Sequence, residues 1–134
     1  MIMRDKNEDF VKICRILSVA PNYNTLPVHM LHRYTYPLVY LGQYKVFDKS
    51  FVTWSWFSDG VEKKFIEGSK LIQPEDHNTG ENFWYIDLIC LGGKEELKEI
   101  KESNLRHFGH LTRKYMRVFR KNKHRYVVEQ PPIC

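Results

Sequence analysis

The amino-acid sequence predicts an α+β fold, an α/β sandwich in which helices flank a mixed central sheet. Three observations support this prediction: an amphipathic helical stripe near the N-terminus, apolar and aromatic strand segments in the middle of the chain, and an alternating hairpin pattern at the C-terminus. Helices and strands are mixed along the chain, and the most apolar strand leads through a glycine turn into a helix. This order is typical of a sheet that is covered by helices.

The N-terminal half is predicted to form two helices and a hairpin. Asp5 begins a capping-box pattern, and apolar residues at helical spacing follow it as far as Pro21. A second, short helix is predicted over residues 26–33. Strands are predicted over residues 36–47 and 51–57, and the connection between them is short enough for a β-hairpin.

The C-terminal half is predicted to alternate helices and strands. Apolar residues on one face and a terminal glycine indicate a helix over residues 60–68. The next strand, residues 83–91, is apolar on both faces and therefore belongs in the interior of the sheet. The remaining predicted elements are helices over 94–101 and 104–114 and hairpin strands over 115–120 and 124–129.

The chain has 134 residues, which is the size of one domain, and we assign residues 1–134 to a single domain with flexible ends at 1–9 and 130–134. With 43% hydrophobic and 14% aromatic residues it is neither disordered nor fibrous. Its three cysteines are widely spaced, which favours packing thiols in a reducing compartment, with no metal site. No apolar stretch has the length of a signal peptide or a membrane span, which predicts a cytoplasmic protein.

The net charge of +5 is concentrated near the C-terminus. Residues 106–125 contain eight lysines and arginines and no acid, so the rest of the chain carries −3. This segment predicts an acidic partner, which is an acidic carrier protein, a nucleic acid or an acidic protein surface; a solvated basic face is the alternative. Aromatic residues between these cations would stack on bases in a nucleic-acid complex, but the same alternation also places them in the core of a hairpin.

The most informative segment is residues 75–87. It begins as a polar turn that contains Gly80 and ends as an aromatic strand that contains Asp87. A carboxylate in an apolar strand has either a partner or a chemical role, so Asp87 is the first candidate site residue; a salt bridge to an arginine inside the sheet is the structural alternative. Gly92 and Gly93 follow this strand, and a glycine turn at the start of a helix can bind a phosphate through its amides.

This segment resembles the signature of the toxin-activating lysine acyltransferases, which fatty-acylate lysines of pore-forming repeat toxins. The resemblance extends over about residues 16–128. The residues that carry it are Glu75, Asp76, Gly80, Trp84, Tyr85, Ile86, Asp87 and Gly93, preceded by Pro21, Pro27, Pro37, Gln43, Tyr44, Ser55 and Trp56. It implies an N-acetyltransferase-like fold, in which the acyl donor binds where two neighbouring strands splay apart. It also implies acyl carrier protein, loaded with an acyl group, as the co-substrate, and no tightly bound cofactor.

The resemblance implies two catalytic positions, a histidine near the end of the first helix and the strand aspartate. The aspartate is Asp87, but the histidine position is Tyr23. Tyrosine, with a pKa near 10, is a poor base at neutral pH, although it can protonate a leaving thiolate. His29 and His32 are candidate substitutes for the missing histidine. Gly92 and Gly93 complete the predicted site as donor-binding residues.

Three functions are consistent with these residues. In the first, the protein is a lysine acyltransferase in which Asp87 orients the amine, Tyr23 acts as the acid and the basic hairpin binds the acyl carrier protein. In the second, the fold is kept without the chemistry, for example in a bacteriophage protein that binds neighbouring virion proteins. In the third, residues 106–125 bind nucleic acid. Homo-oligomers are compatible with each function.

Overall fold

The computed structural model describes residues 5–20, 28–68, 72–118 and 124–133, and it confirms the α+β class. Within these ranges five strands form one open sheet in the order of the sequence. The strands are β1 (Tyr44–Val46), β2 (Ser50–Phe57), β3 (Asn82–Cys90), β4 (Arg113–Val118) and β5 (Arg125–Gln130). Neighbouring strands are antiparallel except for β3 and β4, which are parallel and connected through a helix.

The helices are α1 (Lys6–Val19), α2 (Val28–Tyr34), α3 (Tyr36–Tyr40), α4 (Asp59–Glu67) and α5 (Gly93–Phe108), with a 3-10 turn over Pro74–His77. The start of α1 agrees with the sequence, because the Asp5 carboxylate accepts the backbone N–H of Asn7 at 2.8 Å. Residues 6–9 therefore lie in the first turn of a helix. The end of α4 also agrees, since Gly68 adopts the left-handed conformation with φ 65°.

Two predictions of secondary structure are wrong. The strand predicted over residues 36–47 is α3 followed by the short strand β1, because Pro37 occupies the first turn of a helix, where its missing N–H costs nothing. The two helices predicted over 94–101 and 104–114 are the single helix α5. Ser103 lies inside this helix, buried, and it accepts a hydrogen bond from Lys45 Nζ at 2.8 Å.

The sheet separates two apolar cores, because successive residues of β2 point to opposite faces. On one side, Phe51 packs with α1 and α3; we call this side the α1 face. On the other side, Val52 packs with Ile100 of α5; we call this side the α5 face. The buried residues of the first core are Ile13, Ile16, Leu17, Val39 and Phe51, and those of the second are Phe47, Val52 and Ile100.

The strands β3 and β4 separate soon after they meet. Phe83 pairs with Arg113 and Trp84 pairs with Lys114, and among the described residues the pairing stops there. Beyond this point β3 continues along β2, and β4 continues along β5. The sheet therefore has a V-shaped opening beside the second half of β3, as the family resemblance implied.

Candidate active site

A β-bulge decides where the Asp87 carboxylate points. The register pairs Trp54 with Tyr85 and Thr53 with Asp87, so Ile86 is an extra residue in β3. Regular alternation would place Asp87 on the α5 face, together with Tyr85. Because the extra residue shifts the alternation by one, Asp87 instead lies on the α1 face beside Thr53.

Asp87 is held by Thr53. The Thr53 hydroxyl donates to Asp87 Oδ2 at 2.9 Å and accepts the backbone N–H of Asp87 at 3.0 Å. Burial raises the pKa of Asp87, and the hydrogen bond from Thr53 opposes this shift. No cation of the described residues lies within 4.0 Å of the carboxylate. The arginine salt bridge that we considered is therefore not found in the described part of the chain.

The rest of the motif has a structural role. The Asp76 carboxylate accepts a hydrogen bond from Lys64 Nζ at 2.9 Å. Gly80 lies so close to the end of β2 that a Cβ atom there would come within 2.5 Å of backbone. The indole N–H of Trp84, which is buried, donates to Glu62 Oε2 at 2.8 Å. The Asp87 carboxylate differs from those of Asp76 and Glu62 because no lysine or arginine of the described residues forms an ion pair with it.

A buried serine–histidine pair lies on the same face as Asp87. Ser55 Oγ is 2.7 Å from His77 Nδ1, and the two residues are 0% and 6% exposed. The backbone carbonyl of His77 accepts a hydrogen bond from Gln43 Nε2 at 3.0 Å, and the same nitrogen donates to the Trp54 carbonyl at 2.9 Å. Gln43 thereby fixes the 3-10 turn to β2. Burial lowers the pKa of His77, while the nearby Asp76 raises it.

The other predicted catalytic residues are not brought to Asp87 within the described structure. Tyr23 lies outside the described residues, and for His29 only the backbone is described, in α2. His32 is exposed and stacks on Tyr36 with ring centroids 4.8 Å apart. The catalytic roles of Tyr23 and His29 therefore stay predictions.

The glycine turn after β3 carries negative charge. Gly93 begins α5 with φ 81°, and the side chain of Glu96 folds over Gly92, where a Cβ atom would meet its carboxylate at 2.1 Å. The other oxygen of Glu96 accepts the backbone N–H of Lys49 at 2.8 Å. A donor phosphate would have to displace this carboxylate. Donor binding by Gly92 and Gly93 therefore also stays a prediction.

One cavity among the described residues lies away from Asp87. It is an open groove of about 840 Å³ between α1 and the connection from β1 to β2. Val11, Arg15, Val19 and Leu91 are among its lining residues, and Asp87 is not. Cavity size alone therefore does not locate the candidate site.

The basic C-terminal segment is only partly available to a partner. Arg113 is 4% exposed and donates to the carbonyl of Pro131 at 2.9 Å. Lys114 Nζ lies 2.9 Å from Glu62 Oε2, and Arg125 donates to a carbonyl of α4 at 3.2 Å. Arg113 thus joins the two strands of the C-terminal hairpin at their open end, whereas Lys114 and Arg125 attach the hairpin to α4. The exposed described cations of the segment are Arg106, Arg117 and Arg125, of which Arg125 makes the contact with α4.

Sequence reasoning found Asp87 and matched Ser55 to the family, but it gave no site role to Thr53, Ser55 or His77. A signal for the first two was present, since they are polar residues at alternate positions of an otherwise apolar strand. His77 gave no such signal because it lies in a polar turn 22 residues away from Ser55. Among the described residues no group of three His, Cys, Asp or Glu side chains is placed to hold a metal ion.

The parallel strands that splay apart, the glycine turn into α5 and the strand carboxylate define an N-acetyltransferase-like protein. The model of the RTX toxin acyltransferase family matches residues 3–132, and the chain belongs to this family. The resemblance inferred from residues 75–87 is thus confirmed. An uncharacterized protein of Synechocystis sp. (strain ATCC 27184 / PCC 6803 / Kazusa) is 27% identical over 110 residues, which cover 72% of this chain and 75% of that protein. None of the helices in the described ranges is long and apolar enough to cross a membrane.

Proposed function

We propose that the protein transfers an acyl group from acyl carrier protein to the side-chain amine of a protein lysine. The observation that carries this proposal is the Asp87 carboxylate, which receives a hydrogen bond from Thr53 and has no cation beside it among the described residues. Partial burial of a carboxylate without a counter-ion is costly, and a bound lysine ammonium would lower this cost. Membership of the acyltransferase family supports the reaction class.

In the proposed reaction Asp87 binds and orients the ammonium of the target lysine. Once that lysine has lost a proton to water, its neutral nitrogen attacks the thioester carbonyl carbon. The amide bond forms as the carbon–sulfur bond breaks, and the nitrogen releases its second proton to water. Tyr23 protonates the leaving thiolate and regains its proton from water, whereas His29 is the alternative acid–base group. The exposed cations Arg106 and Arg117 would contact the acidic carrier protein.

The tyrosine at the family histidine position favours a second candidate function. In this alternative the protein keeps the acyltransferase fold without the chemistry and binds a partner protein through its surface, as in the assembly of a bacteriophage virion. Asp87 would then have no substrate, and its replacement would leave partner binding unchanged.

Mass spectrometry distinguishes the two functions. Acyl carrier protein loaded with a fatty acyl group is incubated with a lysine-bearing segment of a repeat toxin and with wild type, Asp87→Asn or Tyr23→His. We expect lysine acylation by wild type, lost in Asp87→Asn and kept in the control Asp48→Asn, which changes an exposed carboxylate. Acylation that appears only in Tyr23→His would indicate a protein that has lost catalysis. If wild type, Asp87→Asn and Tyr23→His are all folded and none of them acylates the lysine, the result would favour the assembly function.

A further inference from the structure

The outer edge of the last strand is long enough to pair with another strand; we call it the β5 edge. β5 pairs with β4 on one side, and no strand of the described residues lies along its other side. At the opposite end of the sheet β1 has only three residues. Proteins commonly block such edges with a proline, a charge or a bulge, and the central residues of β5, which are Tyr126, Val127 and Val128, contain none of these. The β5 edge is therefore a candidate interface.

The two charged residues of β5 have opposite signs and lie at equal distances from Val127. Arg125 precedes Val127 by two residues and Glu129 follows it by two, so all three side chains lie on one face of the sheet. Arg125 and Glu129 are exposed, and Val127 is half-buried. Glu129 forms no ion pair among the described residues. Arg125 donates to the Phe65 carbonyl through Nη2 at 3.2 Å, and its guanidinium has further N–H groups for a second acceptor.

This charge pattern is complementary to itself. If the β5 strands of two copies pair antiparallel about a two-fold axis at Val127, Arg125 of each copy lies opposite Glu129 of the other. Opposite residues in such a pair have Cα atoms about 4.5–5.5 Å apart, close enough for their side chains to interact. An axis at Tyr126 or Val128 would place Val127, and not the opposite charge, beside Arg125 or Glu129. Parallel pairing in register would place like charges side by side, which is destabilising.

We propose that two copies of this chain associate through their β5 edges, antiparallel and centred on Val127, and that the two sheets become one continuous sheet. Main-chain hydrogen bonds between the two strands provide the contact. The two Arg125–Glu129 pairs, one on each side of the axis, select the register and make a second copy the partner that fits this edge. The inference does not depend on the proposed acyl transfer, because it uses no residue of the candidate active site.

Exchange of the two charges tests the proposed register. In sedimentation velocity we expect dimers of wild type and a dissociation constant that is higher by about 10-fold or more in Glu129→Arg, because both ion pairs become contacts between like charges. Arg125→Glu should have the same effect. An equimolar mixture of these two variants should dimerise as wild type does, since each cross-strand pair of the mixed dimer again joins opposite charges. The control Glu99→Arg reverses an exposed charge of α5 and should leave the dimer unchanged.

Disulfide cross-linking tests the register without a change of charge. Residue 127 lies opposite its own copy in the proposed dimer, so two Val127→Cys chains bring their Cα atoms to a separation that a disulfide can bridge. Residue 128 lies opposite residue 126, and the cysteines of two Val128→Cys chains would be diagonal neighbours about 7–8 Å apart, which is too far. Under mild oxidation we expect covalent dimers of Val127→Cys. The control Val128→Cys should form no more of them than wild type, which contains three cysteines of its own.

Four results would overturn the β5 dimer. The first is wild-type protein that stays monomeric up to the highest concentration at which it is soluble. The second is dimerisation of Glu129→Arg as strong as that of wild type, which would assign the association to another surface. The third is an equimolar mixture that stays monomeric although both charge variants are folded. The fourth is equal cross-linking of Val127→Cys and Val128→Cys, a comparison that holds even if Arg125→Glu does not fold.

Discussion

At the scale of single residues, Asp87 illustrates a conflict between stability and chemistry. Its side chain is half-buried, and Thr53 supplies a hydrogen bond but no charge. Folding therefore raises the pKa of this side chain and disfavours its ionised form relative to the unfolded chain, whereas binding of a lysine ammonium requires the ionised form. Such a residue lowers the stability of the free protein, which is expected where a site is built to receive a cation.

Asp87→Asn is predicted to stabilise the protein at pH 7 while it abolishes acyl transfer. The amide keeps an acceptor for the Thr53 hydroxyl and carries no charge that has to be buried. We expect the free energy of unfolding to rise by about 1–3 kcal/mol, the usual cost of burying a polar group that lacks a partner. Thermal unfolding at pH 7 measures the change. The control Asp48→Asn, at an exposed position, should change the free energy of unfolding little.

The stability difference between wild type and Asp87→Asn is also predicted to change with pH in a definite direction. Because the pKa of Asp87 is raised, its proton stabilises the folded state fully below the ordinary pKa of 3.8, and this contribution is lost as the pH rises through the raised folded pKa. The difference in Tm between wild type and Asp87→Asn should therefore be smallest in acid and grow toward neutrality. A difference that is constant over this range would contradict the assigned cause.

The sequence predicted that Asp87 lies in an apolar strand, but it did not predict on which face of the sheet its side chain lies. Alternation from Tyr85 would place it on the α5 face, and only the extra residue Ile86 brings it to Thr53. The bulge depends on the pairing of β2 with β3, which are separate in sequence, so no local pattern indicates it. His77 was missed for a similar reason, since its partner Ser55 lies in another element.

At the scale of elements, the turn before β3 is fixed by close contact. The backbone N–H of Thr79 donates to the Trp56 carbonyl at 2.7 Å, and Gly80 then passes against the end of β2 without room for a side chain. This contact determines where β3 begins. It also gives a structural reason for the glycine in the polar part of the motif, because this contact fixes the start of the strand that carries Asp87.

Gly80→Ala is predicted to destabilise the fold by about 1–3 kcal/mol, the usual cost of forcing an extra methyl group into a packed region. The physical reason is the approach of the new Cβ atom to within 2.5 Å of backbone, which cannot move aside as a side chain can. Chemical denaturation measures the loss.

The matched control for this prediction is Gly60→Ala. Gly60 lies in α4 with no atom within 4 Å of the new Cβ position. Alanine is the better helix former, so this variant should be as stable as wild type or more stable by up to about 1 kcal/mol. Equal losses in the two variants would argue against the close contact at Gly80.

Helix and strand periodicity predicted most elements, but it failed where the local sequence was compatible with more than one secondary structure. The apolar run after Tyr36 fits a strand by composition, yet Pro37 starts a helical turn that packs Leu38 and Val39 into the core. Two helices were predicted with a break over residues 102–103, whereas Ser103 lies inside one helix and accepts a hydrogen bond from Lys45. In each case packing outweighed local preference.

At the scale of the whole molecule, the C-terminal hairpin is joined to the sheet over a short length. Only two residue pairs connect β3 with β4 among the described residues. The remaining connection is made by side chains, chiefly the contact of Lys114 with Glu62 in α4, which also accepts the indole N–H of Trp84. One carboxylate thus joins α4, β3 and β4.

Glu62→Gln is predicted to loosen the hairpin without unfolding the rest of the sheet. Loss of the charge leaves Lys114, which is 20% exposed, without its ion pair. Amide hydrogen exchange should become faster in β5, by roughly 10-fold for a local loss of about 1.4 kcal/mol, and stay unchanged in β1 and β2. The control Glu67→Gln alters an exposed pair with Lys63 at 4.0 Å and should leave both regions unchanged. Uniformly faster exchange in Glu62→Gln would contradict a local role.

The V-shaped opening also governs how the free protein behaves at high concentration. Along its β4 side, residues 86–90 of β3 have no strand partner among the described residues, and Leu88 and Leu91 nearby are 47% and 37% exposed. Such an edge is a template for the strand of a neighbouring copy. Concentrated protein should therefore form oligomers through strand pairing at this edge. Any ligand that lies along the edge should prevent this pairing and keep the protein in solution. Substrate binding and aggregation would then compete for the same backbone groups.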